Sequence, residues 1–235
     1  MAARALAAAC RYGEWRERPE GNVPVFDDVD PATARAVVDE ALAGRPEGTW
    51  LAPESVAALL GAYRIPLAPI RRVSSVEEAV AAAQDLGFPV VLKAASPELV
   101  HKSDVGGVRL GLADAGEVRR AFEEMAGVLG GRMGGAVVQR MVEAGVETIV
   151  GVVQDPAFGP LVMFGSGGIA VELFGDRAFR ILPLTDLDAA ELVRSTKGSP
   201  LLFGYRGAPP ADVDALCELL LRVARLADDL PELAE

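Results

Sequence analysis

Histidine occurs once in this 235-residue chain, cysteine twice, tryptophan twice and tyrosine three times. A single histidine and two distant cysteines, Cys10 and Cys217, exclude a four-ligand His/Cys metal cluster and a disulfide scaffold. Both cysteines fall in apolar helical patterns and are expected to be free core thiols. No apolar run reaches the ~18 residues of a membrane-spanning helix. The opening MAARALAAACRYGEWRERP lacks a small-residue cleavage pattern leading into a secreted domain, so no signal peptide is expected and the compartment defaults to the cytoplasm. Positive charge is scarce: 23 Lys and Arg face 34 Asp and Glu, for a net charge of -11. That balance excludes the basic footprint of a nucleic-acid partner. A protein this acidic must gather its cations locally if it handles anions.

What is present is globular: 51% hydrophobic and 24% charged residues, in a length that buries roughly 70–75% of its unfolded surface. Residues 3–17 read as a helix, closed by Pro19. Asp30-Pro31 opens a second helix to about Ala43, with Asp as N-cap and Pro in the first turn. GRPEGTWLAP (44–53) reads as a linker, and the part before it has too little apolar surface to fold alone. Ser75 caps VEEAVAAAQDLG, which Gly87 ends. FPVVLKAA is a continuous apolar strand of the kind buried on both faces, and GGVRLGLA is a second strand. Asp114 opens the helix AGEVRRAFEEMAGVLG. AVVQRMVE, VETIVGVVQD and GPLVMFGSGG read as three strands of one antiparallel sheet. LTDLDAAELVRSTKG and PPADVDALCELLLRVARLADDL read as the last two helices. The sequence ends on LPELAE, where a fold pairing helices with strands calls for another strand.

Five places carry chemistry. Lys93 interrupts the apolar run PVVLKAAS. A lysine there either meets an anion or snorkels to solvent from the strand end. HKSDVGGV (101–108) puts Lys102 and Ser103 beside Gly106-Gly107, which suits a loop covering a phosphate and equally a polar hairpin. The lone histidine, His101, is either a surface residue or a nucleophile, because neutral imidazole can accept a phosphoryl group. Glu172 follows a Gly165-x-Gly167-Gly168 turn that opens no helix. It is either a solvated carboxylate or a Mg2+ ligand. Arg180 and Arg206 are candidate anion clamps.

Taken as a linked set, FPVVLKAASPELVHKSDVGGVRLGL, VQRMVEAGVETIVGVVQDPAFGPLVMFGSGGIAVEL, FRILPL and KGSPLLFGYRGAPPADVDAL resemble the ATP-grasp part of NDP-forming acyl-CoA synthetases. That group includes ADP-forming acetate–CoA ligases and is related to succinyl-CoA synthetase. The resemblance spans roughly residues 53–235. It implies an α/β ATP-grasp fold with two α+β subdomains and the nucleotide between them. The boundaries it suggests are 1–50 as a helical linker from a preceding CoA-ligase domain, 51–135 as the first subdomain and 136–235 as the second, lacking its final strand. It implies that His101 carries a phosphoryl group and that Lys93 contacts the nucleotide phosphates, with Lys102, Ser103, Gly106, Gly107 and Arg180 also at the nucleotide. Gln139, Arg140, Met141 and Val142 match the hinge that reads the adenine edge, Glu147 the acid near the ribose, and Glu172 a Mg2+ carboxylate. The cofactors implied are ATP or ADP and Mg2+. The partner implied is a CoA-binding domain or subunit.

The family continues into a strand with an Asp-x-Asn-Pro motif that completes the Mg2+ site, and this sequence stops short of it. Two further readings therefore stay open. One is a regulatory synthetase-like module, as fused to bacterial protein acetyltransferases. The other is an inactive truncated remnant.

Overall fold

A computed structural model describes residues 2–45, 47–96, 105–168 and 175–234, with the side chain of Trp15 excepted. Its contacts divide the protein into two compact units, residues 67–145 and residues 1–66 with 146–235.

In the 67–145 unit the helix starts follow local chemistry. Ser75 Oγ accepts from Glu78 N at 3.2 Å, and Glu78 Oε2 accepts from Ser74 N at 2.7 Å, opening α4 (Val76–Leu86). Asp114 and Glu117 repeat this reciprocal pattern at the start of α5 (Ala115–Leu129), with both bonds at 2.8 Å. Each pair satisfies backbone donors that the first helical turn leaves without partners. The sheet contains β1 (Ile70–Val73), β2 (Val90–Ala94), β3 (Val108–Leu112) and β4 (Ala136–Arg140) in the order β1-β4-β2-β3, all antiparallel. One face packs on both helices. Val90, Leu92 and Ala94 of β2 and Ala136 and Val138 of β4 are buried there with Ala79, Ala82 and Ala83 of α4 and Val118, Phe122 and Met125 of α5. The alanines of α4 present little side chain, so that helix lies close to the sheet.

β4 corrects the sequence reading, which grouped it with the two strands that follow. Ile70 pairs with Gln139 and Val91 with Gln139 from the other side, so β4 lies inside the first sheet. An alternating strand declares two faces but not its neighbours. The expected division at 135 thus falls within this unit, which runs on to Gly145.

The other unit holds β5 (Thr148–Asp155), β6 (Gly159–Ser166) and β7 (Arg177–Ile181) as an antiparallel meander. Thr185 forms a capping box with Asp188 and opens α6 (Asp186–Arg194), and Asp212 caps α7 (Val213–Asp229). Val162 and Phe164 of β6 are buried against Ala189, Leu192 and Val193 of α6 and Leu220 and Ala224 of α7. The far half of α7 packs elsewhere. Leu226 and the following Leu230 form a second cluster with Ala34 and Val38 of α2 (Pro31–Leu42), Leu59 of α3 (Pro53–Ala62), and Tyr63 and Ile65. Asp30 caps α2, as the sequence implied, accepting from Thr33 N at 3.0 Å.

The segment before residue 50 therefore includes a helix with one buried edge, at Ala34 and Val38, as well as a connector. α1 (Ala2–Arg16) is almost wholly exposed, and Cys10 on it is exposed and not a core thiol. Alanine-rich helical spacing reads alike on a docked and a solvated helix. Cys217 is also free and is partly buried against the helix–sheet cluster. Among the described residues no helix is long and apolar enough to cross a membrane.

A polar knot closes the helical cluster. Buried Tyr63 donates its hydroxyl to Asp229 Oδ2 at 2.7 Å, and Arg225 Nε donates to the same oxygen at 2.8 Å. Burial pushes the Asp229 carboxyl up, but these bonds and the charges of Arg225 and Arg35 outweigh it and hold the group below its ordinary value. Tyr63→Phe is expected to lower stability at neutral pH by roughly 1.5–3 kcal/mol, the range for a hydrogen bond to a charge. A depressed folded-state pKa stabilises fully above the unfolded value, near ~3.9, and that stabilisation is lost as pH falls through the folded value. The Tyr63→Phe deficit should accordingly shrink below about pH 4. Urea midpoints measured against pH test this, and an unchanged midpoint at neutral pH would mean the hydroxyl contributes nothing.

Candidate functional site

The face of the first sheet turned away from α4 and α5 collects the polar groups. Residues directly opposite in an antiparallel pair project to the same side. Leu92 and Val90 enter the helical core, so Lys93 and Val91 project the other way. Val137 stands opposite Lys93 and Gln139 opposite Val91. Lys93 Nζ donates to Gln139 Oε1 at 2.7 Å, a diagonal reach from β2 to β4. A lysine inside an apolar central strand is thus oriented by an acceptor on the neighbouring strand.

The register adds a residue that the sequence reading missed. Arg72 of β1 also stands opposite Val137, so Arg72 and Lys93 flank it in one row across the sheet. The row ends at Val108 of β3. Two cations and an amide on one face, in a protein of net charge -11, form the local concentration of positive charge that anion handling needs. The Arg-Arg pair in IRRV was the available signal, because alternation sends one of the two to each face.

Gly106 and Gly107 lie at the open end of this row. Gly107 O accepts from Ala94 N at 2.8 Å, continuing the β2–β3 ladder one step beyond Lys93. Gly106 has a φ of 72°, a left-handed conformation that glycine takes without steric cost. Its carbonyl accepts from Arg109 Nη1 at 2.8 Å. His101, Lys102 and Ser103 lie outside the described residues, as does Glu172. Among the described residues no group of three His, Cys, Asp or Glu side chains gathers closely enough to hold a metal ion.

β4 ends at Arg140, opposite Val90, and the backbone leaves the sheet through Met141 and Val142; all three residues are exposed. Met141 N donates to Pro89 O at 3.0 Å, which ties the start of this stretch to β2.

In the 146–235 unit, Glu147 and the glycine turn after β6 are brought together. Gly167 N donates to Glu147 O at 2.7 Å, and a Cβ at Gly167 would lie 2.7 Å from Glu147 C. A Cβ at Gly168, whose φ is 60°, would collide with the Glu147 carboxylate. Close approach to the backbone therefore requires glycine at 167, and the left-handed φ favours it at 168. Asp176, absent from the sequence expectations, anchors the other side of this turn. Burial pushes its carboxyl up, but hydrogen bonds from Lys197 N, Ser166 Oγ and Gly198 N and the Lys197 charge hold it below the ordinary range.

The face of this sheet turned from α6 and α7 is mostly apolar, with Arg177 also on it opposite Gly165, its guanidinium 5.9 Å from the Phe179 ring centroid. Ile149, Gly151, Leu161, Met163 and Phe179 share it by register, since Val162 and Phe164 take the core side. Met163 reaches across Gly151, where a Cβ would meet its Cε at 3.3 Å. The signal for this face is strand alternation in VETIVGVVQD and GPLVMFGSGG. Arg180 is not on it. It stands opposite Val162, on the helix side, with Nη2 3.8 Å from Glu191 Oε2 of α6. Arg206 sits in the loop after α6 with a positive φ of 52°, its guanidinium over the Tyr205 ring at 5.4 Å.

A family model described as an ATP-grasp domain matches residues 42–235. The protein is 42% identical over 241 residues to ADP-forming acetate–CoA ligase I of Archaeoglobus fulgidus, an alignment covering all of this sequence and 34% of that protein. It is 38% identical over 211 residues to the β subunit of ADP-forming acetate–CoA ligase I of Pyrococcus furiosus, covering 87% of this sequence and 89% of the subunit. Among solved structures it is similar to the dinucleotide-forming acetyl-coenzyme A synthetase 1 of Ca. Korarchaeum cryptofilum in complex with coenzyme A, Ca-AMPCP and HgCl+. The TM-score is 0.76 at 40% identity, over 83% of this protein and 88% of that one. The same synthetase with coenzyme A and Mg-AMPPCP is described with its phosphohistidine segment pointing towards the nucleotide binding site. It matches with a TM-score of 0.69 at 40% identity, over 80% and 84% of the two proteins. The present sequence thus spans about a third of the Archaeoglobus ligase and most of the separate Pyrococcus subunit. It belongs to the ATP-grasp family, in the group found in the ADP-forming acetate–CoA ligases.

Proposed function

We propose that this protein is the nucleotide half of an ADP-forming acyl-CoA synthetase. In the direction of thioester synthesis it moves the γ-phosphoryl group of ATP onto His101. The phosphoryl group then serves acid activation and thioester formation on a partner that binds CoA and the acyl group. The observation that carries this reading is the row of Lys93 and Arg72, with Gln139 holding the lysine, on the helix-free face of the first sheet. The row suits phosphates because fixed cations neutralise charge that develops on transferred oxygens. The Gly106-Gly107 backbone at the end of the row suits a segment that approaches them. The apolar face of the second sheet, with Met163 and Phe179, suits a purine ring, and Glu147 suits a ribose hydroxyl. Gln139 to Val142 would supply the backbone that reads the adenine edge.

The transfer balances. A lone pair of the neutral His101 imidazole attacks the γ-phosphorus, the bond to the β,γ-bridging oxygen breaks and ADP leaves with that electron pair. The ring then gives up its N–H proton to solvent, which leaves a neutral phosphorylated imidazole. Glu172 is the residue we assign to Mg2+, which when bound adds neutralising charge on the nucleotide phosphates. The complexes of the Korarchaeum protein with nucleotide analogues and coenzyme A, and the separate β subunit in Pyrococcus, support a division between a nucleotide-binding part and a CoA-binding partner. We place the reaction in the cytoplasm, where ATP and CoA are both available.

Calorimetric titration of the protein with ATP, with and without Mg2+, tests the reading. The expected dissociation constant lies within the ~1 µM–1 mM range usual for enzyme substrates, and Mg2+ is expected to tighten it. Heat indistinguishable from dilution under both conditions would overturn the proposal.

A further inference from the structure

We propose that Asp176 is a positioning residue for Glu147, acting through the turn Gly165–Gly168. The inference rests on the reading of Glu147 as the carboxylate on the ribose side. Asp176 lies just before β7, where the backbone returns to the sheet. Its Oδ1 accepts from Lys197 N at 2.7 Å, and its Oδ2 accepts from Gly198 N at 2.8 Å and from Ser166 Oγ at 2.7 Å. Its backbone oxygen accepts from Ser166 N at 3.0 Å. Ser166 is therefore held twice by one residue, which is itself tied to the loop after α6.

The clamp is close at the backbone on one side. A Cβ on Gly165 would lie 2.7 Å from Asp176 O, and one on Gly198 would collide with Ser166 Oγ. The next two residues of the turn press on Glu147 from the other side. Gly167 donates to its carbonyl at 2.7 Å, and Gly168 lies against its carboxylate. Where the turn sits decides where the Glu147 carboxylate sits, and Asp176 decides where the turn sits. Asparagine at 176 would put an NH2 donor where one oxygen now accepts. At either position it would face an existing donor, so at least one bond is lost.

The test measures ribose discrimination in the full-length protein, as the ratio of affinities for ATP and for 2′-deoxy- and 3′-deoxy-ATP. The wild type is expected to prefer ATP by roughly 10-fold, the effect of one hydrogen bond to a carboxylate. Glu147→Gln should reduce the preference to about threefold or less, and Asp176→Asn should do the same with an intact fold by circular dichroism. Gly168→Ala pushes the carboxylate without touching the Asp176 bonds and should match them. If Asp176→Asn does not fold, Ser166→Ala removes a single bond of the clamp and should give a partial loss of preference. A role in stability alone would lower the unfolding midpoint and leave the ratio at the wild-type value. Discrimination retained in Asp176→Asn or Ser166→Ala but lost in Glu147→Gln overturns this inference and leaves the proposed function standing. A wild type that binds no nucleotide overturns the proposed function instead. Discrimination retained in Glu147→Gln removes the premise, and the inference falls with it.

Discussion

His101→Asn is expected to abolish phosphate incorporation from ATP. With the CoA-binding partner present it should lower acyl-CoA formation by at least ~10³-fold, as loss of a covalent nucleophile does. The assignment is unusually strict. The sequence contains no other histidine, so a phosphohistidine in it can form only at residue 101. The bond expected is a phosphoramidate, labile in acid and stable in alkali. Serine, threonine and tyrosine esters survive acid, so the two cases separate chemically. Asparagine keeps a polar side chain of similar size near the backbone, and ATP affinity should stay within about threefold. The two readouts are radiolabel retained from γ-labelled ATP after acid and alkali treatment, and calorimetry on the same variant. Label that persists in His101→Asn, or label stable to acid in the wild type, would place the phosphoryl acceptor elsewhere.

Lys93→Met should weaken ATP binding by roughly 10–100-fold and slow phosphoryl transfer by ~10²–10³, the cost of removing one fixed donor at a developing charge. The fold should survive. Methionine matches the lysine stem in length, and the core of this sheet is built by the opposite face, from Val90, Leu92 and Ala94. The change does leave Gln139 Oε1 without the ammonium that now donates to it at 2.7 Å, so a fall of a few degrees in Tm is compatible with the prediction. Lys93→Arg should not restore activity. A planar guanidinium presents its donors differently and would lose the diagonal contact to Gln139. Calorimetry and single-turnover transfer measure the two effects separately. If Lys93→Met binds ATP like the wild type, the ammonium does not serve nucleotide binding. Arg72→Met gives a useful comparison, because it removes charge from the same row without touching that pair.

The parts of this fold that were readable in advance are local. Ser75, Asp30 and Asp114 were legible as helix starts because a capping side chain bonds a backbone N–H only three residues away. The PVVLKAAS run was legible as a buried strand, and Lys93 stood out within it because a charge there needs a partner. The Gly165-x-Gly167-Gly168 pattern was visible as a turn, but its reason was not. The glycines are explained by Glu147, some twenty residues earlier, and by Asp176, ten residues after Ser166. Arg180 is a different case. FRILPL makes it look like an anion clamp, whereas register with Val162 turns it to the helix side and Glu191.

The sequence by itself determined the capped helix starts at Asp30, Ser75 and Asp114, the two faces of each strand, the acidic charge balance and the uniqueness of His101. Each of these follows from composition or from interactions within about one helical turn. Only the tertiary structure decided that β4 joins β1 and β2, that Arg72 stands in the row of Lys93, that Ala34 and Val38 of α2 pack with α3 and α7, and that Asp176 holds the turn next to Glu147. The physical reason is that strand pairing and buried polar contacts close over tens of residues. Their outcome depends on which apolar faces and unsatisfied donors remain available once the rest of the protein has packed, and no local pattern records that competition.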